Sequence, residues 1–132
     1  MVKFGKDLQD ECLEKWSDSY LNYKNLKSVI REELLQIEKI DSVVEIFNNF
    51  DCLLQEELSK INDFYRENVN LLSSELNDIV ITIDNTSEDD DKQKKIKILT
   101  DFYNKVDELR HYILLNVIAV IKIIKKRNKK AF

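Results

Sequence analysis

The chain has 132 residues, no proline and a single glycine, and it is rich in Leu, Ile, Lys and Glu. This length suffices for one domain with a sizeable core, and the scarcity of helix-breaking residues favours long helices. The two cysteines, Cys12 and Cys52, are too few for a disulfide framework or a cysteine metal site, which favours a reducing, intracellular setting. We therefore expect residues 1–132 to form one all-α domain in the cytoplasm.

Charge is distributed unevenly along the chain. The net charge is −4, yet all 25 acidic residues lie at or before Glu108, whereas 7 of the 21 Lys and Arg residues lie from Arg110 onward. This asymmetry indicates an anionic partner at the carboxyl-terminal end, although a solvated basic helix end gives the same count. Nucleic acid is not expected, because the chain is acidic overall and its basic segment lacks interleaved arginines or aromatic residues.

Neither a targeting peptide nor a membrane span is predicted. The amino terminus lacks the apolar core of a signal peptide, so we interpret it as part of the fold. The most apolar stretch, residues 112–124, is too short to cross a bilayer and is interrupted by Asn116 and Lys122. It is expected to form the buried face of a helix.

The amino-terminal third predicts a helical hairpin. A first helix is expected over about residues 6–13, a turn near Trp16, and a second helix over about residues 18–38. Next, Ser42-Val43-Val44-Glu45 has the pattern of a capping box, in which the Ser and Glu side chains satisfy free backbone donors at a helix start. A new helix should begin there.

Two long helices are predicted in the remainder of the chain. From Phe47, apolar residues recur at steps of three or four at Phe50, Leu54, Leu58, Ile61, Tyr65, Val69, Leu72, Leu76 and Ile79. Residues 84–91 are acidic and predict a loop, while the β-branched residues 79–83 fit either a frayed helix end or a short extended segment. The final helix, to about Lys129, has its apolar residues at Leu99, Phe102, Val106, Leu109, Ile113, Val117, Val120 and Ile124.

These elements predict an all-α bundle, with the amino-terminal hairpin packed on two long antiparallel helices. On the last helix Lys122, Lys125, Lys126 and Lys129 form one stripe. The apolar stripe that includes Val117 and Ile124 lies on another side, so we expect the lysines to face away from the core. Such a stripe is available to a ligand, but lysines are also common on exposed faces and near helix carboxyl termini.

Three separated motifs resemble SPX domains, in the order of that family. The first is Lys3-Phe4-Gly5-Lys6-x-Leu8 with Trp16 and Tyr20-Leu21-x-Tyr23-Lys24-x-Leu26-Lys27. The second is Glu57-Leu58-x-Lys60-Ile61-Asn62-x-Phe64-Tyr65, and the third is Leu115-Asn116 followed by Lys122-Ile123-Ile124-Lys125-Lys126-x-x-Lys129. The chain departs from the family at Arg127, where an aromatic residue is usual, and the resemblance implies that one or two short helices after the basic helix are absent.

The resemblance implies a sensor of cellular phosphate status that binds inositol polyphosphates or pyrophosphates. It implies a phosphate-binding cluster of Tyr23, Lys27 and Lys126, and a neighbouring lysine surface of Lys122, Lys125 and Lys129. The basic amino terminus, Lys3 and Lys6, would close one side. Many lysines on a preorganised surface suit a rigid ring that carries several phosphates.

The family's domain usually regulates an attached or partner effector: a phosphate transporter, a polyphosphate polymerase, a ubiquitin ligase or a transcription factor. An attached domain would bring it to the cytosolic face of a membrane. The alternative is a helical adaptor whose basic stripe binds an acidic protein or membrane surface. No residue is nominated for catalysis, His111 and Trp16 are expected to be structural, and neither a metal nor a cofactor other than the inositol phosphate ligand is predicted.

Overall fold

A computed structural model of the chain describes the backbone of residues 2–37, 43–85 and 92–131. The side chains of residues 1–3, 36–48, 86–91 and 130–132 lie outside the described part. Four helices follow in the order α1 (Val2–Glu11), α2 (Tyr23–Ile37), α3 (Val43–Asn85) and α4 (Lys92–Ala131), with a 3-10 helix over Glu14–Ser19 between α1 and α2. The described residues include no strand, so the prediction of an all-α bundle is confirmed.

The bounds of the first two helices differ from the predicted ones. The 3-10 helix and a link of three residues, 20–22, precede α2, so α2 begins at Tyr23 rather than near Asp18. Residues 79–83, left open by the sequence, continue α3 as helix to Asn85. The start of α3 agrees with the predicted capping box, whose Ser42 and Glu45 side chains lie outside the described residues.

The two long helices run antiparallel, as expected. Cross-helix ion pairs join Lys105 to Glu75 at 2.7 Å and Arg127 to Asp51 at 3.1 Å, so residues late in α4 face residues early in α3. No helix within the described residues has the length and hydropathy needed to cross a membrane.

Aromatic rings form the centre of the bundle, where the amino-terminal elements meet α3 and α4. Tyr112 of α4 is fully buried, and its ring centroid lies 4.6 Å from Phe64 and 4.8 Å from Tyr20. Its hydroxyl donates to the Ser19 carbonyl at 2.7 Å. Trp16 stacks edge-on to Phe64 and Tyr112, as a core anchor would, so these rings bind the 3-10 helix to the long helices.

The predicted buried face of α4 is correct at Leu109, which is 5% exposed, but wrong at Val117 and Ile124. Val117 is 48% exposed and Ile124 is 38% exposed, whereas Tyr112, Asn116, Ala119, Ile123 and Lys126 are buried. Lys126 therefore does not face away from the core with the rest of its stripe. The reason is that α4 packs on α3 and also on α2 and its preceding link, so its buried face is turned toward the amino-terminal elements.

Along the parts of α3 and α4 that are nearest to their connection, the apolar residues are also less buried than predicted. Tyr65 and Leu76 of α3 and Leu99 and Val106 of α4 are each more than a third exposed. A helix that packs against one other helix is covered on one side only, so these side chains keep part of their surface exposed. The core is concentrated at the other end, where the bundle has additional layers.

Candidate functional site

The amino terminus of α2 is fixed by its own cap and by α3. Asn22 precedes the helix, and its side-chain oxygen accepts a hydrogen bond from the Asn25 amide at 3.1 Å, while its carbonyl accepts the Leu26 amide at 3.1 Å. This is an N-cap arrangement, which satisfies a donor left free in the first turn. The Asn22 amide in turn donates to a carboxylate oxygen of Glu57 on α3. Tyr23, the first helical residue, is thereby held in a defined position.

A buried hydrogen bond joins the same segment to α4. The Leu21 amide donates to the side-chain oxygen of Asn116 at 2.7 Å, and the Asn116 side-chain nitrogen donates to the Tyr112 carbonyl at 2.8 Å. Asn116 is only 1% exposed. Because α4 carries the lysine stripe about two to four turns farther on, this contact sets the start of α2 against the basic end of α4.

A basic cavity of about 380 Å³ lies between α1, α2 and α4. We name it the lysine cavity. Its lining residues are Phe4, Asp7, Tyr23, Lys122, Lys125, Lys126 and Lys129. Four lysines from one helix thus face a tyrosine and a carboxylate from the amino-terminal elements.

Contacts between aromatic rings and lysine shape one wall of the lysine cavity. The rings of Phe4 and Tyr23 meet edge-to-face with centroids 5.1 Å apart, and the ammonium of Lys122 lies 4.9 Å from the centroid of Phe4. At this distance the ring attracts the cation. Gly5 of α1 also lies beside Tyr23, where a Cβ would make an ordinary van der Waals contact at 3.7 Å from the tyrosine ring. Phe4 therefore orders both Tyr23 and Lys122.

The electrostatics of the lysine cavity favour an anion. Lys126 is 4% exposed, so its charge acts in a partly desolvated setting where an anion is attracted more strongly than in water. Burial raises the pKa of the Tyr23 hydroxyl, which keeps it neutral and able to donate a hydrogen bond at pH 7. Lysine ammonium groups with rotatable donors and one directional hydroxyl are a donor set suited to phosphate oxygens.

The structure brings together five of the eight site residues predicted from the sequence. Tyr23, Lys122, Lys125, Lys126 and Lys129 line the lysine cavity. Lys6 and Lys27 instead line an adjoining hollow of about 470 Å³ that shares Tyr23 as a wall. The side chain of Lys3 lies outside the described residues. Binding of a ligand by these eight residues stays a prediction.

Two further residues of the lysine cavity were not predicted as site residues. Phe4 was visible as part of the amino-terminal motif, and its ring is the contact for Lys122. Asp7 follows Lys3 by four positions and so shares a helix face with it, a signal that depended on placing the start of α1 at Val2. Because the first helix was predicted to begin near residue 6, this signal was missed.

The carboxyl-terminal part of α4 is anchored beside the lysine cavity by Arg127. Its guanidinium pairs with Asp51 and lies 4.7 Å from the ring centroid of Phe50, and its side chain is 16% exposed. Glu33 of α2 is buried beside it and accepts the Phe50 amide at 3.0 Å. Desolvation raises the pKa of Glu33, and the Phe50 amide and Arg127 partly oppose the rise. This charged cluster attaches the segment that carries Lys125, Lys126 and Lys129 to α3.

His111 makes a contact between helices, as expected of a structural residue. A ring nitrogen of His111 lies 3.1 Å from the Glu11 carbonyl and so joins α4 to the end of α1. Among the described residues, no group of three or more His, Cys, Asp or Glu side chains is placed to hold a metal ion.

Comparison with known proteins identifies relatives along nearly the whole chain. An SPX domain-containing membrane protein of Arabidopsis thaliana is 32% identical over 136 residues, which cover 98% of this chain and 19% of that protein. SPX domain-containing protein 1 of the same plant is 30% identical over 98% of this chain and 56% of its own length. The chain thus spans about a fifth and just over half of these two relatives. No model of a protein family matches it.

A solved structure has the same fold. The SPX domain of Chaetomium thermophilum glycerophosphodiester phosphodiesterase 1, in complex with inositol hexakisphosphate, superposes with a TM-score of 0.83 over 97% of this chain and 75% of that one, at 24% identity. The three motifs predicted this relationship, and the first and third of them lie on the elements that build the lysine cavity. The chain is therefore similar along nearly its full length to SPX domain-containing proteins, and it has the fold of a solved SPX domain.

Proposed function

We propose that the chain binds inositol polyphosphates in the lysine cavity and serves as a regulatory sensor of phosphate status. The observation that carries this proposal is the convergence of Lys122, Lys125, Lys126 and Lys129 with Tyr23 around one cavity. Four cations at one surface exceed what a single orthophosphate can contact, whereas a ring with several phosphates reaches all of them. The solved relative of the same fold holds inositol hexakisphosphate, which supports this ligand class.

The expected affinity follows from the number of contacts. Charge-assisted hydrogen bonds contribute about 1.5 to 3 kcal/mol each, so a handful supports micromolar binding after association costs are subtracted. Orthophosphate, which makes fewer of these contacts, is expected to bind much more weakly. Equal affinity for the two ligands would contradict a site built for a polyanion.

The effector belongs to the same proposal. The relatives are much longer than the part that this chain matches, and one of them is a membrane protein, so a regulated domain on the same polypeptide is consistent with them. A ligand changes an effector only through different affinities for its two states. We infer that bound polyanion bridges α1, α2 and α4 and favours the arrangement that the effector recognises.

Calorimetric titration with inositol hexakisphosphate tests the ligand. The wild-type chain is compared with Lys126→Ala and with Lys126→Met, which retains most of the buried aliphatic volume, and each is measured at two salt concentrations. Lys97→Ala removes one exposed lysine remote from the cavity and is the matched control. We expect micromolar binding that is lost in both Lys126 variants, weakens with salt and persists in the control.

Two outcomes would overturn the proposal. Absence of binding by a folded wild-type chain, shown helical by circular dichroism, would favour the helical adaptor that binds an acidic protein or membrane surface. Binding that falls equally in Lys126→Met and Lys97→Ala would show a diffuse charge effect and no defined cavity.

A further inference from the structure

A second basic hollow lies on the other side of Tyr23 from the lysine cavity. Its volume is about 470 Å³, and it lies between α1, the 3-10 helix, α2 and α3. The cations around it come from three helices: Lys6 from α1, Lys24 and Lys27 from α2, and Lys60 from α3. Asp18 is the one acidic residue among its lining residues. The local charge is therefore positive, although the chain as a whole is acidic.

Glu57 holds two parts of this hollow in place. Its side chain is 12% exposed, and one of its carboxylate oxygens accepts both the Asn22 amide and the Lys60 ammonium, the latter at 3.1 Å. The same carboxylate thus fixes the start of α2 and draws Lys60 toward it. A cation that is already oriented loses less conformational entropy when an anion binds.

Tyr23 is the boundary between the two basic regions. It is 3% exposed, and it lines both the lysine cavity and the hollow. An anion in either space therefore lies against the same residue. A ligand with phosphates on several sides of a rigid ring can place one group in each space, whereas a compact anion can occupy only one of them.

We propose that the hollow is a second phosphate subsite, in which Lys24 and Lys60 complete a set of donors with Lys6 and Lys27. This inference rests on the proposed function, because it assigns a second group of the same polyphosphorylated ligand to the hollow. It extends that function by naming two residues outside the lysine stripe and by giving a physical basis for selecting ligands with widely spaced phosphates. The amino-terminal end of α2 adds favourable dipole electrostatics for an anion there.

The test is calorimetric titration with inositol hexakisphosphate of a Lys24→Ala/Lys60→Ala double variant. The matched control is Lys92→Ala/Lys97→Ala, which removes the same charge from exposed positions at the start of α4. We expect the affinity to fall about tenfold in the first variant and less than threefold in the second, since each charge-assisted contact is worth several-fold in affinity. Lys24→Ala alone leaves the Glu57–Lys60 pair intact and should show about a threefold loss with unchanged thermal unfolding.

The outcomes separate this inference from the proposed function. Loss in Lys126→Met, with Lys24→Ala/Lys60→Ala equal to its control, would overturn the hollow as a subsite and leave the lysine cavity. Loss in the Lys24/Lys60 variant with no loss in Lys126→Met would retain the hollow and overturn the lysine cavity. No binding to the wild-type chain would overturn both.

Discussion

Replacing Asn116 by Ala is expected to destabilise the fold by about 2 to 4 kcal/mol. In the wild-type chain this 1% exposed side chain accepts from the Leu21 amide at 2.7 Å and donates to the Tyr112 carbonyl at 2.8 Å. The substitution leaves the Leu21 amide without its acceptor, which costs about 1 to 3 kcal/mol. The void left by the deleted atoms adds about 1 kcal/mol. The Tyr112 carbonyl keeps its backbone partner within α4 and adds little.

Urea denaturation followed by circular dichroism measures this loss. Val117→Ala is the control, because Val117 is the next residue along α4 and is 48% exposed. Its effect should be within about 0.5 kcal/mol, as is usual for exposed positions away from specific contacts. A loss below about 1 kcal/mol for Asn116→Ala, or one no larger than that of the control, would refute the argument that this residue joins the start of α2 to α4.

Three further predictions concern charge and protonation. Asp7→Asn should strengthen binding of inositol hexakisphosphate about three- to tenfold, because it removes a negative charge from the lysine cavity; unchanged or weaker binding in calorimetry would contradict this. Burial raises the pKa of Glu33 above its usual 4.5, so protonation of this side chain stabilises the fold at low pH, and that stabilisation is lost as pH rises through the folded-state pKa. Glu33→Gln should reduce this dependence of the unfolding free energy on pH, measured by urea denaturation at several pH values. An unchanged dependence would exclude Glu33 as its source. Tyr112→Phe should cost about 0.5 to 1.5 kcal/mol at neutral pH through loss of the hydrogen bond to the Ser19 carbonyl. Because burial also raises the pKa of Tyr112 above 10.0, the wild-type chain should lose stability as pH rises above that value, and Tyr112→Phe should lose less; equal losses would contradict a buried neutral phenol.

The helix content, the antiparallel long helices and the lysine stripe were readable from the sequence because they depend on local properties. Few residues interrupt the helices, and apolar residues at steps of three or four indicate two long amphipathic segments. The family motifs likewise predicted site residues at the start of α2 and the end of α4. Five of the predicted site residues consequently line one cavity.

Helical periodicity could not decide which face of α4 is buried. Val117 and Ile124 are apolar but 48% and 38% exposed, while Asn116 and Lys126 are buried. Periodicity records hydrophobicity alone, whereas burial depends on which elements pack against a helix. Here the link before α2 contributes a backbone amide that a buried asparagine satisfies, so a polar residue occupies the covered face.

The sequence by itself determined the all-α class, the long helices and the residue types that could bind a polyanion. Only the tertiary structure decided that Tyr23 separates two basic spaces, that Asp7 lies among the lysines, and that Lys60 of α3 joins Lys6, Lys24 and Lys27. These relations join residues from different helices, distant along the chain. They follow from the packing of α1 and α2 across the long helices, which local periodicity does not encode.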